Sequence, residues 1–401
     1  MKTSVITFKK IGTDFPSDYI KNAIEEICSC GMDVATFSVM ADDDAAAFRR
    51  RLSEERNTAD NLIVLVPYDI SFDIKSEIAE EMNTDLTENE TAKEIVLARG
   101  EEMFEEYSEN YYSLPSDATI IPNDNGAFQG FMSEDDEFTL VVLPQDFSEL
   151  KPMISGYVLP YFDKKYKAET DKFVFKYLGD GAVLKNALLK AEDLYGKPLK
   201  KSVRGRYDDY LCNVIFGGAD EKKENEVKRF LAETLGDGMY AQFDTTLGER
   251  LFDLLKLRSK RISVAESFTG GRVVSALIAN SGASEFVTEG IVAYSNLSKM
   301  KRLDVKKEEL AEFGAVSSRV AYKMAVGLLL TGECDLAIST TGIAGPKSDD
   351  TDKPVGLNYI GVGTKDGVHV YKFEFKGTRE EITETAKNHA LFLAIKKLKN
   401  I

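Results

Sequence analysis

Residues 263–286 read SVAESFTGGRVVSALIANSGASEF, an apolar run that breaks at a polar turn and then resumes at helical spacing. This pattern predicts a buried strand, a polar turn that contains Ser267 and Thr269, and an α-helix from about residue 269, with Gly270 and Gly271 near its start. In such β-turn-α units, ligands collect at the carboxyl end of the strand, beside the free N–H donors of the helix. The turn alone is equally consistent with a hydroxyl that only caps the helix, so both interpretations stay open.

Strands and helices alternate on both sides of this unit. Residues 246–260 predict a helix before the strand, while 290–295 (GIVAYS) and 335–342 (DLAISTTG) predict two further strands. Residues 357–375 predict a hairpin that turns at Asp366-Gly367. An amphipathic helix is expected at the C-terminal end. The last part of the chain is therefore predicted to be an α/β domain.

The whole chain, of 401 residues, is long enough for two or three domains. Residues 1–165 alternate strand-like and helix-like segments, which predicts a parallel sheet covered by helices. Residues 166–242 predict a small α/β module, and residues 243–401 form the C-terminal domain. The predicted fold class is thus multi-domain α/β.

Composition narrows the function. The formal net charge of −16 argues against direct nucleic-acid binding and against an anionic membrane surface. No apolar stretch is long enough to span a bilayer, and the first residues lack the features of a signal peptide, so a cytoplasmic location is expected. The four cysteines are too scattered for a disulfide framework.

Polar residues also follow two other predicted strands. The segment AYSNLSK contains Tyr294, Asn296 and Lys299, and the segment STTGIAGP contains Thr341 and Gly342. Exposed hydroxyls and backbone donors in such turns suit a phosphate or an oxyanion. Each turn alone is consistent with an ordinary surface loop. Three polar turns at three strand ends point instead to one site.

The residues in these turns limit the possible nucleophile. His369 lies in a predicted hairpin strand and His389 in a predicted helix, so both are expected to be structural and a Ser-His-Asp triad is disfavoured. A serine activated by a lysine remains, provided that burial lowers the pKa of the lysine. Ser267 with Lys299 is that pair, and Tyr294 is a plausible proton relay.

The region from about residue 245 to 401 closely resembles the C-terminal domain of the CinA (competence/damage-inducible) family. The resemblance rests on AESFTGG, GIVAYSNLSK, GAVSSRVAYKMAVG, TGIAGP and KPVG in this order. It implies a nicotinamide-nucleotide amidase that hydrolyses nicotinamide mononucleotide without a metal or cofactor, as a homodimer. Ser267 would be the nucleophile, Lys299 the base and Tyr294 the assisting hydroxyl. The predicted substrate-binding residues are Glu266, Thr269, Gly270, Gly271, Asn296, Thr341, Gly342 and Arg379.

Two positions depart from the family pattern. Most relatives have cysteine where this chain has Phe268, which favours serine as the nucleophile. Relatives also tend to carry two arginines four residues apart near the C-terminus. Arg379 matches the first, but Thr383 stands at the second. Affinity or rate would be reduced if that second arginine binds substrate.

The N-terminal domain resembles molybdopterin-binding proteins of the MoaB/MogA type, which implies a three-layer fold. In some relatives this domain hydrolyses ADP-ribose with a divalent metal. Here the glycine-rich loop expected after the third strand is replaced by VPYDISFDIKSE, which lacks the glycines that present N–H groups to phosphate. Only Asp14, Asp69 and Asp73 suggest metal ligands, and the preferred interpretation is a degenerate site. The rival functions are a metal-dependent nucleotide pyrophosphatase and a non-catalytic, competence-related binding protein.

Overall fold

The structure is a computed structural model that describes residues 2–10, 24, 27, 34–98, 111–135, 138–165, 172–216, 220–348 and 352–399. The chain divides into two units, residues 1–170 and 171–401. The predicted middle module and C-terminal domain thus lie in one unit, and the predicted domain boundaries stay predictions. None of the helices in the described ranges is long and apolar enough to cross a membrane.

The strands of the first unit are β1 (Thr3–Lys9), β2 (Val34–Ala41), β3 (Asn61–Val66), β4 (Leu86–Glu88), β5 (Ser113–Pro115), β6 (Thr119–Ile121), β7 (Gly130–Glu134) and β8 (Thr139–Pro144). Six of them form a sheet in the order β2-β1-β3-β8-β7-β6. The neighbours from β2 to β8 pair in parallel, whereas β7 and β6 are antiparallel. β4 and β5 form a separate ribbon.

The described helices of this unit are α1 (Ala45–Arg56), α2 (Ile74–Met82), α3 (Glu90–Leu97), α4 (Phe147–Met153) and α5 (Leu159–Lys165), the last two joined by a π-helical turn at Ile154–Val158. Alternating residues of β3 face opposite layers. Leu62 and Val64 pack with α1, α2 and α3, while Ile63 and Leu65 pack with α4 and α5. The unit therefore has three layers, as the sequence predicts.

The second unit begins with β9 (Lys172–Leu178), α6 (Gly181–Tyr195), β10 (Lys200–Arg206), β11 (Asp209–Ile215), α7 (Glu221–Leu235), a 3₁₀ turn (Gly236–Gly238) and β12 (Met239–Ala241). The strands form an antiparallel sheet in the order β10-β11-β9-β12. Both helices pack on one face, where Leu188 and Leu231 join Phe175 and Cys212 in one apolar cluster. This is the small α/β module predicted for this region.

The remaining elements are α8 (Leu247–Arg258), β13 (Ile262–Glu266), α9 (Arg272–Ile278), a 3₁₀ turn (Ala283–Glu285), β14 (Val287–Val292), α10 (Asn296–Leu303), α11 (Lys307–Phe313), α12 (Ser318–Leu329), β15 (Leu336–Gly342), β16 (Leu357–Thr364), β17 (Gly367–Glu374) and α13 (Arg379–Lys399). The sheet order is β14-β13-β15-β16-β17. β13 pairs in parallel with β14 and β15, whereas β16 and β17 are antiparallel. Helices α8, α9 and α13 cover one face, and α10 and α12 cover the other.

Local details differ from the sequence predictions. The hairpin turns at Lys365-Asp366, one residue earlier than predicted. β14 covers Val287–Val292 rather than residues 290–295, so Tyr294 lies beyond the strand. α9 begins at Arg272, because Gly270 and Gly271 have φ values of 64° and 97°, in the left-handed region that a helix cannot use.

Candidate active site

Ser267 lies directly after the last residue of β13. Its backbone N–H donates to the carbonyl of Thr340 in the neighbouring strand β15, at 3.0 Å. The left-handed glycines Gly270 and Gly271 then turn the chain into α9. The side chain of Ser267 is 7% exposed. The serine is therefore held at the carboxyl edge of the sheet.

Lys299 reaches this serine from helix α10. The helix begins after Ser295, whose hydroxyl accepts a hydrogen bond from Ser298 N at 3.1 Å. One turn later, Lys299 Nζ lies 2.9 Å from Ser267 Oγ and also donates to the carbonyl of Ala293 at 2.7 Å. Lys299 is 1% exposed. The two residues that the sequence pairs are thus in direct contact.

The environment of Lys299 favours the neutral amine. Burial lowers the pKa of Lys299 from 10.5 to about 8, because a charged ammonium loses its hydration in a buried position. A neutral amine has a lone pair, whereas an ammonium can only donate. Near pH 8, this lysine can therefore accept a proton from the serine hydroxyl.

The Glu266 side chain is hydrogen-bonded to the backbone at the start of the following helix. Its carboxylate accepts hydrogen bonds from the N–H groups of Gly271, Val273 and Val274, at 3.0, 3.2 and 2.9 Å. A carboxylate is favourable there, because helix N-termini carry unpaired donors and partial positive charge. This arrangement favours a positioning role for Glu266, and its predicted contact with substrate stays a prediction.

The hydroxyls of Thr269 and Thr341 have internal partners. Thr269 Oγ1 lies 2.6 Å from Thr340 Oγ1, and Thr341 Oγ1 donates to the carbonyl of Ala315 at 2.8 Å. Both threonines are at most 1% exposed. These bonds fix the turns around Ser267, and the predicted role of both threonines in substrate binding stays a prediction.

Gly342 lies where two segments pack closely. A Cβ atom on it would come within 2.6 Å of Asn358 Cβ and 3.0 Å of Phe268 Cε1. Phe268 is buried in a small cluster with Ile382 and Ala386 of α13. The residue that replaces the usual cysteine is therefore part of the packing beneath the Ser267 turn.

Arg379, at the start of α13, connects two loops. Its Nη1 donates to the carbonyl of Gly345 at 2.6 Å, and its Nη2 lies 3.4 Å from the hydroxyl of Tyr294. Tyr294 is 66% exposed, and Asn296 at the start of α10 is also exposed. The Arg379 guanidinium is thus hydrogen-bonded to the Tyr294 hydroxyl, and the exposed side chains of Tyr294 and Asn296 form the rim of the site.

The sequence places the Thr340 hydroxyl in the STTGIAGP turn but does not predict a binding or catalytic role for it; in the structure the Thr340 carbonyl accepts from Ser267 N and the Thr340 hydroxyl contacts that of Thr269. Sequence analysis also did not anticipate the partners of Glu266. The sequence did contain a signal for these partners: Glu266 is an acidic residue just before a glycine turn and a helix. A carboxylate at such a position can accept hydrogen bonds from the first N–H groups of the helix.

Both histidines lie in other surroundings. His369 is in β17, where its ring centroid lies 4.5 Å from that of Tyr371. His389 lies on α13, 4.9 Å from the ring centroids of Phe373 and Phe375, with its Nε2 3.0 Å from Asp208 Oδ2. Each histidine therefore has a packing role, in agreement with the structural role predicted for it.

The acidic residues suggested as metal ligands in the N-terminal domain have other partners. Asp69 forms an ion pair with Lys10 at 2.7 Å. Asp73 caps α2 by accepting from the N–H groups of Lys75 and Ser76, and Asp14 lies outside the described residues. Within the described ranges, no group of three His, Cys, Asp or Glu residues could hold a metal ion. Asp69 and Asp73 therefore have partners within the protein, and the expected absence of a metal stays a prediction.

Comparisons with known proteins agree on one family. A family model described as the CinA C-terminal domain matches residues 244–398. A protein of Caldicellulosiruptor saccharolyticus, provisionally named competence-damage inducible protein, is 36% identical over 290 residues, covering 69% of this chain and 69% of the relative.

Two solved structures are each similar to part of this chain. A CinA superfamily protein from Klebsiella pneumoniae is 30% identical, with 39% of this chain and 97% of that chain covered and a TM-score of 0.38. The molybdopterin biosynthesis enzyme MoaB from Thermus thermophilus is 13% identical, with 41% and 92% covered and a TM-score of 0.25.

Proposed function

This chain belongs to the CinA family, and we propose that its C-terminal domain is an amidohydrolase that converts nicotinamide mononucleotide to nicotinate mononucleotide and ammonia. One observation carries the proposal: Lys299 Nζ lies 2.9 Å from Ser267 Oγ in a buried position. A serine hydroxyl attacks an amide only when a base within hydrogen-bond reach takes its proton. The substrate and the reaction follow from the family resemblance.

In the proposed reaction, neutral Lys299 takes the proton of Ser267 as Oγ attacks the carboxamide carbon. The tetrahedral intermediate then collapses as the lysine ammonium gives its proton to the carboxamide nitrogen, the C–N bond breaks, and this nitrogen leaves as ammonia. Water, deprotonated by the same lysine, hydrolyses the acyl-enzyme and releases the acid. One amine thus serves as base and acid in turn, which a pKa of about 8 permits.

The oxyanion of the intermediate needs N–H donors close to the serine. Gly271, Val273 and Val274 already donate to Glu266. Among the described hydrogen bonds, none uses the backbone N–H of Phe268 or Thr269, so these two groups are the proposed donors. The sequence pattern places ligands beside the N–H donors of the following helix, but these donors bind Glu266, so the N-terminus of α9 itself is not the proposed oxyanion site.

Tyr294 and Arg379 complete the proposal at the rim. The tyrosine hydroxyl, which accepts a hydrogen bond from the Arg379 guanidinium, is proposed to assist proton transfer, and Arg379 is the proposed partner of an anionic group of the substrate. We propose that this step uses no metal or cofactor. The proposal also includes a homodimeric state and a cytoplasmic location. These last points stay predictions from the sequence.

The test is ammonia release from nicotinamide mononucleotide by the purified full-length chain, with a chelator present. We expect release in the wild type, a loss of at least about 10³-fold in Ser267→Ala, and unchanged release in Ser275→Ala, which alters an exposed serine on α9. Circular dichroism checks that each variant is folded. Undiminished release in Ser267→Ala, or no release by folded wild type, would reject the amidase and favour a competence-related binding protein.

A further inference from the structure

The N-terminal unit contains a cavity of about 280 Å³ at the carboxyl end of β3. The lining residues that bear on its chemistry are Tyr68, Phe72, Asp73, Lys75, Tyr111 and Phe128. Open α/β sheets bind ligands at this edge, and cavities of a few hundred Å³ suit small molecules. The cavity belongs to the first unit alone and is independent of the Ser267 site.

The cavity walls favour a planar, apolar ligand. Four of the lining residues are aromatic (Tyr68, Phe72, Tyr111 and Phe128), and the rings of Tyr68 and Phe128 meet edge to face at 6.5 Å. The Tyr68 hydroxyl donates a hydrogen bond to Glu149 of the same chain at 2.6 Å. Aromatic walls of this kind stack well on flat rings.

Lys75 brings an amine to this cavity. Its Nζ donates to the carbonyl of Tyr111 at 3.2 Å and lies 5.2 Å from the ring centroid of Phe128, so it is between two lining residues. Lys75 is 4% exposed. Burial lowers its pKa to about 8, against the opposing effect of Asp73. An amine in such surroundings is neutral far more often than a surface lysine.

Asp73 is the other charged residue among the described lining residues, and it is held by the start of α2. Oδ1 accepts from Lys75 N at 3.1 Å and from Ser76 N at 3.3 Å, and Oδ2 accepts from the Ser76 hydroxyl at 2.6 Å. This carboxylate therefore occupies helix N–H groups that would otherwise be available to a phosphate. Lys75 and the aromatic residues are other chemistry-bearing residues of the described lining.

From this geometry we propose that the cavity binds a small planar aldehyde or ketone, which forms a reversible imine with Lys75 Nζ. The neutral amine adds to the carbonyl carbon, and the resulting carbinolamine loses water to give a C=N bond. Hydrolysis of this bond returns the amine and the carbonyl compound. The step needs no oxidant or reductant, and the ring of the ligand would lie against Phe128 and Tyr111.

The experiment traps the imine with benzaldehyde and sodium cyanoborohydride, which reduces the C=N bond to a stable secondary amine. Peptide mapping by mass spectrometry then gives the labelling rate of each lysine in the full-length chain. Lys93 is the matched control, because its Nζ also lies over a ring, 5.5 Å from the centroid of Tyr112, but pairs with Glu88 at the surface. Mapping separates Lys75 from Lys176 and Lys299, which are buried lysines in the other unit.

We expect Lys75 to be labelled at least about ten-fold faster than Lys93 near pH 7, with a rate that saturates with benzaldehyde and is lower for the non-planar cyclohexanecarboxaldehyde. Lys75→Met should lose this adduct and keep ammonia release from nicotinamide mononucleotide. The proposal is overturned if Lys75 is labelled at or below the rate of Lys93. Both labelling rates are measured in the wild type, so this test does not depend on whether Lys75→Met folds.

Discussion

Glu266 ties the strand before Ser267 to the helix after it, since its Oε1 accepts a hydrogen bond from Val274 N at 2.9 Å. Its other oxygen accepts from Gly271 N and Val273 N. Glu266 is 1% exposed, so these bonds are shielded from water. Ser267 lies within the loop that this carboxylate closes, and the position of its hydroxyl depends on that closure.

Replacement of Glu266 should therefore affect both stability and rate. We expect Glu266→Ala to lower the free energy of unfolding by about 3 kcal/mol, because buried N–H groups lose a charged acceptor, and to lower kcat more than it raises KM. Glu266→Gln retains one acceptor oxygen and should fall between Glu266→Ala and the wild type. Urea unfolding and ammonia release measure these effects.

The matched control is Glu289→Gln, which alters an exposed glutamate on β14. It should change the free energy of unfolding by no more than about 0.5 kcal/mol. A Glu266→Ala variant with wild-type kcat would show that the carboxylate does not position Ser267.

The pH dependence of turnover should report the titration of Lys299. Its pKa is lowered to about 8 by burial, and the deprotonated amine is the base, so kcat/KM should rise with pH and reach half of its plateau near pH 8. Lys299→Arg keeps the charge but cannot act as a base, since an arginine stays protonated, and should lose about 10²- to 10⁴-fold in rate. Steady-state rates between about pH 6 and pH 9.5 test both statements.

Lys301→Arg, on the exposed face of the same helix, is the control and should leave the profile unchanged. A flat profile across this range, or substantial activity in Lys299→Arg, would contradict the role of Lys299 as base.

The pairing of Ser267 with Lys299 could be predicted because apolar runs in the sequence show where the strands end. Ser267 follows β13 and Lys299 lies on the helix after β14, and the carboxyl ends of these parallel neighbours share one edge of the sheet. That topology is why a serine and a lysine 32 positions apart could be paired from the sequence. The hydroxyl partners could not be predicted in the same way. Thr341 donates to Ala315, in a loop whose approach depends on the packing of α12.

Element ends were less predictable than element types. The apolar run of residues continues through Ala293, whereas the pairing of β14 with β13 stops at Val292. The apolar pattern therefore places the end of the strand too late. In the N-terminal unit, the sequence of the loop after β3 suggested Asp69 and Asp73 as metal ligands but did not point to Lys75. The cavity beside Lys75 forms only when residues as distant as Phe72 and Phe128 meet, which no local pattern records.

The stability of the protein should also depend on the titration of Lys299. Its pKa is about 8 in the folded state against an ordinary value of 10.5, so the unfolded chain binds the additional proton between these two pH values. The free energy of unfolding is therefore reduced by this residue below pH 8 and recovers as the pH rises toward 10.5. Relative to Lys299→Met, the wild type should gain about 2 kcal/mol between about pH 7 and pH 9.5.

Urea unfolding of both proteins at the two pH values measures this difference, and the comparison cancels the titration of groups that they share. A difference between wild type and variant that does not change with pH would mean that Lys299 has an ordinary pKa in the folded state.

Thr383 stands where the family resemblance leads us to expect a second arginine, and the surroundings of Thr383 predict that an arginine would destabilise the fold at this position. Thr383 is 2% exposed, and its hydroxyl donates to the carbonyls of Arg379 and Glu380 within α13. Thr383→Arg should lower the free energy of unfolding by at least about 2 kcal/mol, because a guanidinium would enter a buried position, and should not raise kcat/KM. Thr383→Val removes only the hydroxyl and should keep kcat/KM within about two-fold. A folded Thr383→Arg variant with a lower KM would instead show that the arginine reaches substrate and that threonine limits affinity in this chain.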